Sequence, residues 1–97
     1  MSVIHTTQFE IDLKRIKRRG YNTANLKRII IKLYDRKKLG AGHKDHKLRG
    51  RLIGCRECRV EPDNDDWLLI YWYQGTDLVL DRTGTHDELF KKMKKSK

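Results

Sequence analysis

The chain has 97 residues, 37% of them apolar, and its 23 lysines and arginines against 13 acidic residues leave a formal net charge of +10. That length suits one small domain over residues 1–97, with any site built on a single core, and the charge predicts a surface that attracts polyanions. The longest apolar run, Trp67 to Trp72, is far short of the roughly 20 residues that span a bilayer. Met1 to Lys14 lacks the apolar stretch of a signal peptide, so the expectation is a soluble cytoplasmic protein facing nucleic acid.

Residues 2 to 6 carry a weak signal for a first strand. Thr7 followed by Glu10 reads as a capping box, and Phe9, Leu13 and Ile16 recur at helical spacing until Gly20 ends the helix. The outward face holds Lys14, Arg15, Lys17, Arg18 and Arg19, either a solvated face or an anion-binding ridge. A second helix is predicted from Asn22 or Thr23 to about Leu39, with Leu26, Ile29, Ile30 and Leu33 as its buried stripe. Arg36, Lys37 and Lys38 would oppose the helix dipole in its last turn, and Gly40 would stop it. From Gly40 to Gly50 the chain reads as a basic loop containing His43 and His46.

Three strand-like runs follow, Leu52 to Val60, Trp67 to Tyr73 and Asp77 to Thr83, separated by the turn-forming stretches PDNDD and QGTD. Connections this short imply an antiparallel meander. The run from Trp67 to Tyr73 is apolar on both faces and predicts the central strand. Thr85 and Glu88 form a second capping box, opening a short helix with Leu89, Phe90 and Met93 before a frayed basic tail over residues 91–97. The predicted class is α+β, with two N-terminal helices packed on one face of the meander and a short C-terminal helix.

Cys55 and Cys58 have the C-x-x-C spacing of zinc and redox sites. A structural zinc needs four ligands and no second pair exists, while residues three apart on a strand point to opposite faces. They read as reduced strand residues, so neither metal nor cofactor is expected.

With no Gly-rich phosphate loop and no serine or cysteine nucleophile beside a base, the chemistry left to the chain is that of imidazoles and cations. His46 precedes the meander and His86 follows it, so both could reach one rim of the sheet. RNA cleavage suits such a set, because the 2′-hydroxyl of the substrate is itself the nucleophile. The protein then needs a base, cations for the phosphorane-like oxygens and an acid for the departing 5′-oxygen. Histidine, with an ordinary pKa of about 6.5, serves either proton role. The alternative is that both are surface histidines.

Four ordered blocks carry a family resemblance. They are Lys44-Asp45-His46-Lys47-Leu48-Arg49-Gly50, Arg56-Glu57-Cys58-Arg59-Val60-Glu61-Pro62-Asp63, Trp67-Leu68-Leu69-Ile70-Tyr71, and Arg82-Thr83-Gly84-Thr85-His86 with Glu88-Leu89-Phe90. Together with Phe9, Asp12, Leu13 and Lys14 they resemble the YafQ branch of the RelE-like toxins over nearly the whole chain.

The resemblance implies a microbial ribonuclease fold and the toxin half of a type II toxin–antitoxin pair. It also implies an endoribonuclease acting on mRNA in the A site of the 70S ribosome, held in check by an acidic antitoxin of the RelB or DinJ kind. His46 and His86 match the family's catalytic histidines, Trp67 its strand-opening tryptophan and Phe90 its C-terminal aromatic. The family runs Pro-Asp-Trp without interruption, whereas this chain reads Pro62-Asp63-Asn64-Asp65-Asp66-Trp67, so either Asp63 or Asp66 fills the acidic role. Arg59 stands where the branch places another histidine. An arginine cannot be a base at physiological pH, but it can hold a phosphate bidentately.

The expected roles are therefore His46 as base, His86 as acid or phosphate ligand, and Arg59 as electrostatic catalyst. Arg59 shares its strand face with Glu57 and Cys55, opposite Val60, Cys58 and Arg56. Lys44 and Arg56 join the candidate substrate contacts. Arg82 is a further phosphate contact or else an ion-pair partner of Asp81 or Glu57. Trp67 and Phe90 either stack on bases or pack in the core. Two rival readings use the same residues: a basic module that binds RNA or ribosomes without cutting, and a co-repressor acting with its antitoxin.

Overall fold

Alternation of apolar side chains from Trp67 to Tyr71 decides the architecture. In the computed structural model of the chain, which describes residues 2–90, this run lies in the middle strand of a five-stranded sheet. In chain order the elements are β1 (Val3–His5), α1 (Thr7–Arg18), α2 (Thr23–Tyr34), β2 (His46–Lys47), β3 (Arg56–Glu61), β4 (Asn64–Gln74), β5 (Asp77–Gly84) and α3 (His86–Phe90). The sheet order is β1-β5-β4-β3-β2. The predicted meander of β3, β4 and β5 is present, β2 extends it antiparallel, and β1 joins β5 in parallel. The class is α+β, as the sequence implied.

Both faces of β4 are buried. Trp67, Leu69 and Tyr71 pack with Phe9 and Ile16 of α1 and with Leu26, Ile29 and Leu33 of α2. Leu68 and Ile70 face the other way, against Leu89 of α3, with Leu48, Leu52, Cys55 and Phe90 around them. At roughly 1.5–3 kcal/mol for each fully buried large apolar side chain, the larger helix-side cluster holds the fold and the smaller one seats α3.

Several boundaries differ from expectation for local reasons. The cap of α1 is Thr6 rather than Thr7: its hydroxyl accepts from the Phe9 N–H at 3.0 Å and donates to the Asp81 carbonyl at 2.8 Å, which ties the helix start to β5. Helix α2 begins at the expected Asn22 cap but stops at Tyr34, well short of Leu39. Arg36 takes a left-handed φ of 59°, and the bonds Arg36 N–H to Leu33 C=O and Lys37 N–H to Lys32 C=O close the helix end. The strained arginine is held because its guanidinium lies 3.7 Å over the Tyr73 ring and donates to the Gly75 carbonyl, while the Tyr73 hydroxyl donates to the Leu33 carbonyl at 2.7 Å. Lys37 and Lys38 therefore lie beyond the helix, and Gly40 is not its stop.

The basic loop is not structureless. It holds the edge strand β2 and two short 3-10 turns, Ala41–His43 and Gly50–Leu52. The second turn and Gly54, at φ 94°, delay the first meander strand to Arg56 instead of Leu52. The β3–β4 turn is only Pro62 and Asp63, since Glu61 pairs with Asn64 and Asn64, Asp65 and Asp66 extend β4. A register shift between Arg59 and Glu61 absorbs the longer connection. Met93 and the frayed tail expected over residues 91–97 lie outside the described residues.

One buried charge ties the N-terminal half to the C-terminal half. Pairing of β1 with β5 ends at Leu80, and beyond it the Thr83 N–H donates to the fully buried Asp12 carboxylate at 3.1 Å. Arg82 grips the same carboxylate with two donors, at 2.7 and 3.2 Å, and Arg15 and Gln8 complete the set. Burial would raise this carboxyl, but the bonds from Arg82, Gln8 and the Thr83 N–H, with the Arg82 charge, hold it below the ordinary value. Glu88 answers Arg15 at 2.9 Å and Arg19 at 2.5 Å. Two of the five cations on the α1 face are thus neutralised, and the ridge has more acidic relief than its sequence suggested.

Candidate active site

On the face of the sheet away from α1 and α2, a hollow of about 260 Å³ opens between β2, β3, β4 and the start of α3. Lys44 and His46 form one wall, Glu57 and Arg59 the floor from β3, Asp65 and Leu68 the β4 side, and His86 the wall opposite. His46, Arg59 and His86, expected to meet, line this one hollow.

The local structure explains each placement. His46 pairs across the strands with Glu57, so β2 brings the imidazole over the carboxylate. Glu57 and Arg59, two apart on β3, share the face opposite Cys58 and Val60, which are sealed under the helices. His86 opens α3, where the capping box is reciprocal: the Thr85 N–H donates to Glu88 at 2.9 Å and the Glu88 N–H to the Thr85 hydroxyl at 3.2 Å. The His86 N–H donates to the Asp66 carboxylate at 3.1 Å, and its ring lies 4.8 Å from that of Phe90. Asp66 and Phe90 thus bracket His86.

The His46 Nδ1 sits 2.7 Å from the Lys44 carbonyl, which only accepts, so that nitrogen carries the proton. Its Nε2 faces Glu57 Oε1 at 3.5 Å. Glu57 is 9% exposed. Burial pushes its carboxyl up, and the charges of His46 and His86 pull it partly back.

Other predicted site residues lie elsewhere. Asp63 occupies the β3–β4 turn and lines a separate hollow with Asn25, Arg28 and Lys32. Arg56 points the other way, 3.2 Å from Asp45, which also accepts from the Tyr71 hydroxyl. Arg82 forms its ion pair with neither Asp81 nor Glu57: its Nε and Nη2 donate to Asp12, which commits this face of the guanidinium to a buried carboxylate rather than to a phosphate. Trp67 is 1% exposed, donates to the Thr83 hydroxyl at 3.0 Å and meets the edge of Tyr21. It packs in the core and cannot stack on a base. His43 bonds the Arg59 carbonyl at 2.7 Å and braces β3 from its edge.

Glu57 and Asp65 belong to the hollow, and the sequence reading did not select them. The signal for Glu57 was present, since it lies two residues before Arg59 on a strand. Asp65 was hidden because the stretch around it looked like a turn. Cys55 and Cys58 sit in different apolar clusters, and burial pushes the Cys58 thiol well up. Among the described residues no group of three or more His, Cys, Asp or Glu is arranged to hold a metal.

Residues 1–91 match the family model of the bacterial toxin of the type II toxin–antitoxin system, YafQ. The chain belongs to the YafQ toxin family. It is 37% identical over 87 residues to the mRNA interferase toxin YafQ of Escherichia coli K12, covering 89% of this chain and 91% of that one. YafQ from E. coli BL21(DE3) superimposes with a TM-score of 0.83 at 35% identity, covering 91% of this chain and 96% of the other. YafQ in the E. coli DinJ–YafQ toxin–antitoxin complex gives 0.80 at 36% identity, with 91% and 94% covered. A copper-bound mutant toxin from Helicobacter pylori gives 0.85 at 29% identity, with 93% and 99% covered.

Proposed function

We propose that this chain is the toxin of a type II toxin–antitoxin system, an mRNA interferase that cuts mRNA in the ribosomal A site with the RNA's own 2′-hydroxyl as nucleophile. The observation that carries the reading is the shared hollow of His46, Arg59 and His86 in a chain of this family. Arg59 holds the non-bridging oxygens of one phosphodiester as charge builds on them. His86, carried on the capped first turn of α3, protonates the departing 5′-oxygen. The proton acceptor lies on the opposite wall, where His46 and Glu57 face each other. The attacking group belongs to the substrate and the cation is Arg59, so the cut needs no metal. Lys44 at the rim and the net charge of +10 draw the toxin to ribosomal and messenger RNA.

Expression of the chain alone arrests growth, and co-expression of an acidic, DinJ-like antitoxin relieves it. Ribosome-bound message is cut to fragments that end in a 2′,3′-cyclic phosphate. His46→Ala and His86→Ala each relieve the arrest, and full toxicity of both variants rejects the site. Arg59 in place of the family histidine and the lengthened stretch between Pro62 and Trp67 are what favour the binding-only reading. Mapped 5′ ends that show intact messages on stalled ribosomes would decide for it.

A further inference from the structure

Gly84, the last residue of β5, is buried at φ 155°, a backbone setting in which glycine alone is unstrained. A Cβ there would lie 2.8 Å from Glu88 Oε1 and 3.2 Å from Arg15 Nη2. The space that a side chain at this position would fill is therefore taken by a cation from α1 and a carboxylate from α3.

Arg15 stands between two acids. Its Nη2 donates to Asp12 at 2.9 Å, and its Nε lies 2.9 Å from Glu88 Oε2 as a charge contact whose N–H is not aligned for a hydrogen bond. Arg19 reaches the same Oε2 at 2.5 Å. The other oxygen, Oε1, accepts the Thr85 N–H, one residue before His86. Burial would raise the Glu88 carboxyl, but the bonds from Arg19 and the Thr85 N–H, with the charges of Arg15 and Arg19, hold it below its ordinary 4.5. A line of contacts thus runs from the buried Asp12 through Arg15 to Glu88, and on to the backbone that enters α3.

Helix α3 needs such an anchor, because its five described residues are too few to be stable by themselves. Leu89 seats it against Leu68 and Ile70. An apolar contact is non-directional, so the rotation of this single turn, and with it the aim of the exposed His86 ring, is set by polar contacts. The His86 N–H bond to Asp66 is one of them, and Glu88 supplies the one that reaches across to α1.

We propose that Arg15 and Glu88 are positioning residues for the cut: packed over the bare Gly84, they lock the first turn of α3 to α1 and so aim His86 into the hollow. The inference rests on the function proposed above. Neither side chain lines the hollow, and both act through His86. Alanine at residue 84 keeps every charge but drives a methyl group into the pair, which makes the glycine part of the same device.

The test is single-turnover cleavage of a ribosome-bound message by Glu88→Ala, Arg15→Met and Gly84→Ala, each made in the wild type and in a His86→Ala background. Glu88→Ala is expected to lower the rate ~10- to 10²-fold with ribosome affinity level, the scale of a misplacement of about 1 Å at the reacting group. Arg15→Met and Gly84→Ala lose rate in the same way, and Glu88→Gln, which keeps an acceptor for the Thr85 N–H, stands in should the alanine variant fail to fold. In the His86→Ala background each loss nearly vanishes, since nothing is left to position, whereas a merely structural role lowers the rate equally in both backgrounds. Full rate in Glu88→Ala, or a loss as large without His86 as with it, overturns the proposal. Hydrogen exchange at the His86 and Leu89 amides reads the clamp apart from cleavage: it rises in Glu88→Gln and Gly84→Ala, and unchanged exchange in both overturns the clamp. A wild type that cuts nothing overturns the proposed function, and the exchange measurement still decides whether α3 is held this way.

Discussion

Two buried carboxylates occupy opposite ends of this small sheet, and they are treated in opposite ways. Asp12, fully buried at the β5 edge, is saturated by Arg82, Arg15, Gln8 and the Thr83 N–H, and is held below its ordinary value. Glu57, nearly as buried, has one oxygen without a donor and is pushed up. A saturated carboxylate locks elements together, because any other arrangement strands charge in the core. An unsaturated one is a stored demand for a proton or a donor, which is what a reacting group supplies. Both are acids in a protein of net charge +10, and the difference lies wholly in what surrounds them.

The contrast can be broken by substitution. Asp12→Ala strands the Thr83 N–H and the Arg82 guanidinium and is expected to cost about 3 kcal/mol. For a domain of this size that is a fall in Tm of about 12–24 °C, measurable by calorimetry. At the other end, His86→Ala is expected to lower cleavage ~10²-fold or more with Tm nearly unchanged. A large fall in Tm would make His86 structural instead. Trp67→Phe removes the bond to Thr83 inside the core and should cost about 1–2 kcal/mol in urea unfolding, while cleavage per folded molecule stays level. A selective loss of cleavage would return Trp67 to the site.

The smallest effect is in pH dependence, and here the two acids have opposite signs. The folded carboxyl of Asp12 lies below its ordinary 3.8, so its stabilisation is present above that value and is lost as pH falls below it. Asp12→Asn should flatten this acid-side loss. The folded carboxyl of Glu57 lies above its ordinary 4.5, so ionising it works against the fold as pH rises. Glu57→Gln should therefore raise Tm slightly at neutral pH. A fall in Tm there would place Glu57 with Asp12 among the structural acids.

The helices, the meander and the convergence of His46, Arg59 and His86 were legible because they follow from periodicity, short turns and ordered blocks. What was not legible depends on partners distant in sequence. Helix α2 stops early because Arg36 stacks on Tyr73, and nothing near Arg36 announces that ring. Arg82 and Trp67 looked like substrate contacts, but their partners, Asp12 and Thr83, appear only once β5 lies beside α1. The stretch from Asn64 to Asp66 has turn composition, yet tertiary pairing with β3 overrides it, and this moved Asp65 into the hollow and left Asp63 outside. Glu57 was overlooked because a carboxylate among cations reads as an ion pair until its burial is known.

The parallel union of β1 with β5 has a temporal consequence. Val3 is matched with Leu78 and His5 with Leu80, and Thr6 reaches 75 residues ahead to the Asp81 carbonyl. During synthesis the first strand therefore waits, with its edge open, until almost all of the described chain has left the ribosome. Closure of such distant contacts is slow. The sheet is completed when the two ends of the chain meet, and a chain released before Leu80 would have neither a resting place for β1 nor the Arg82 and Thr83 donors that hold Asp12.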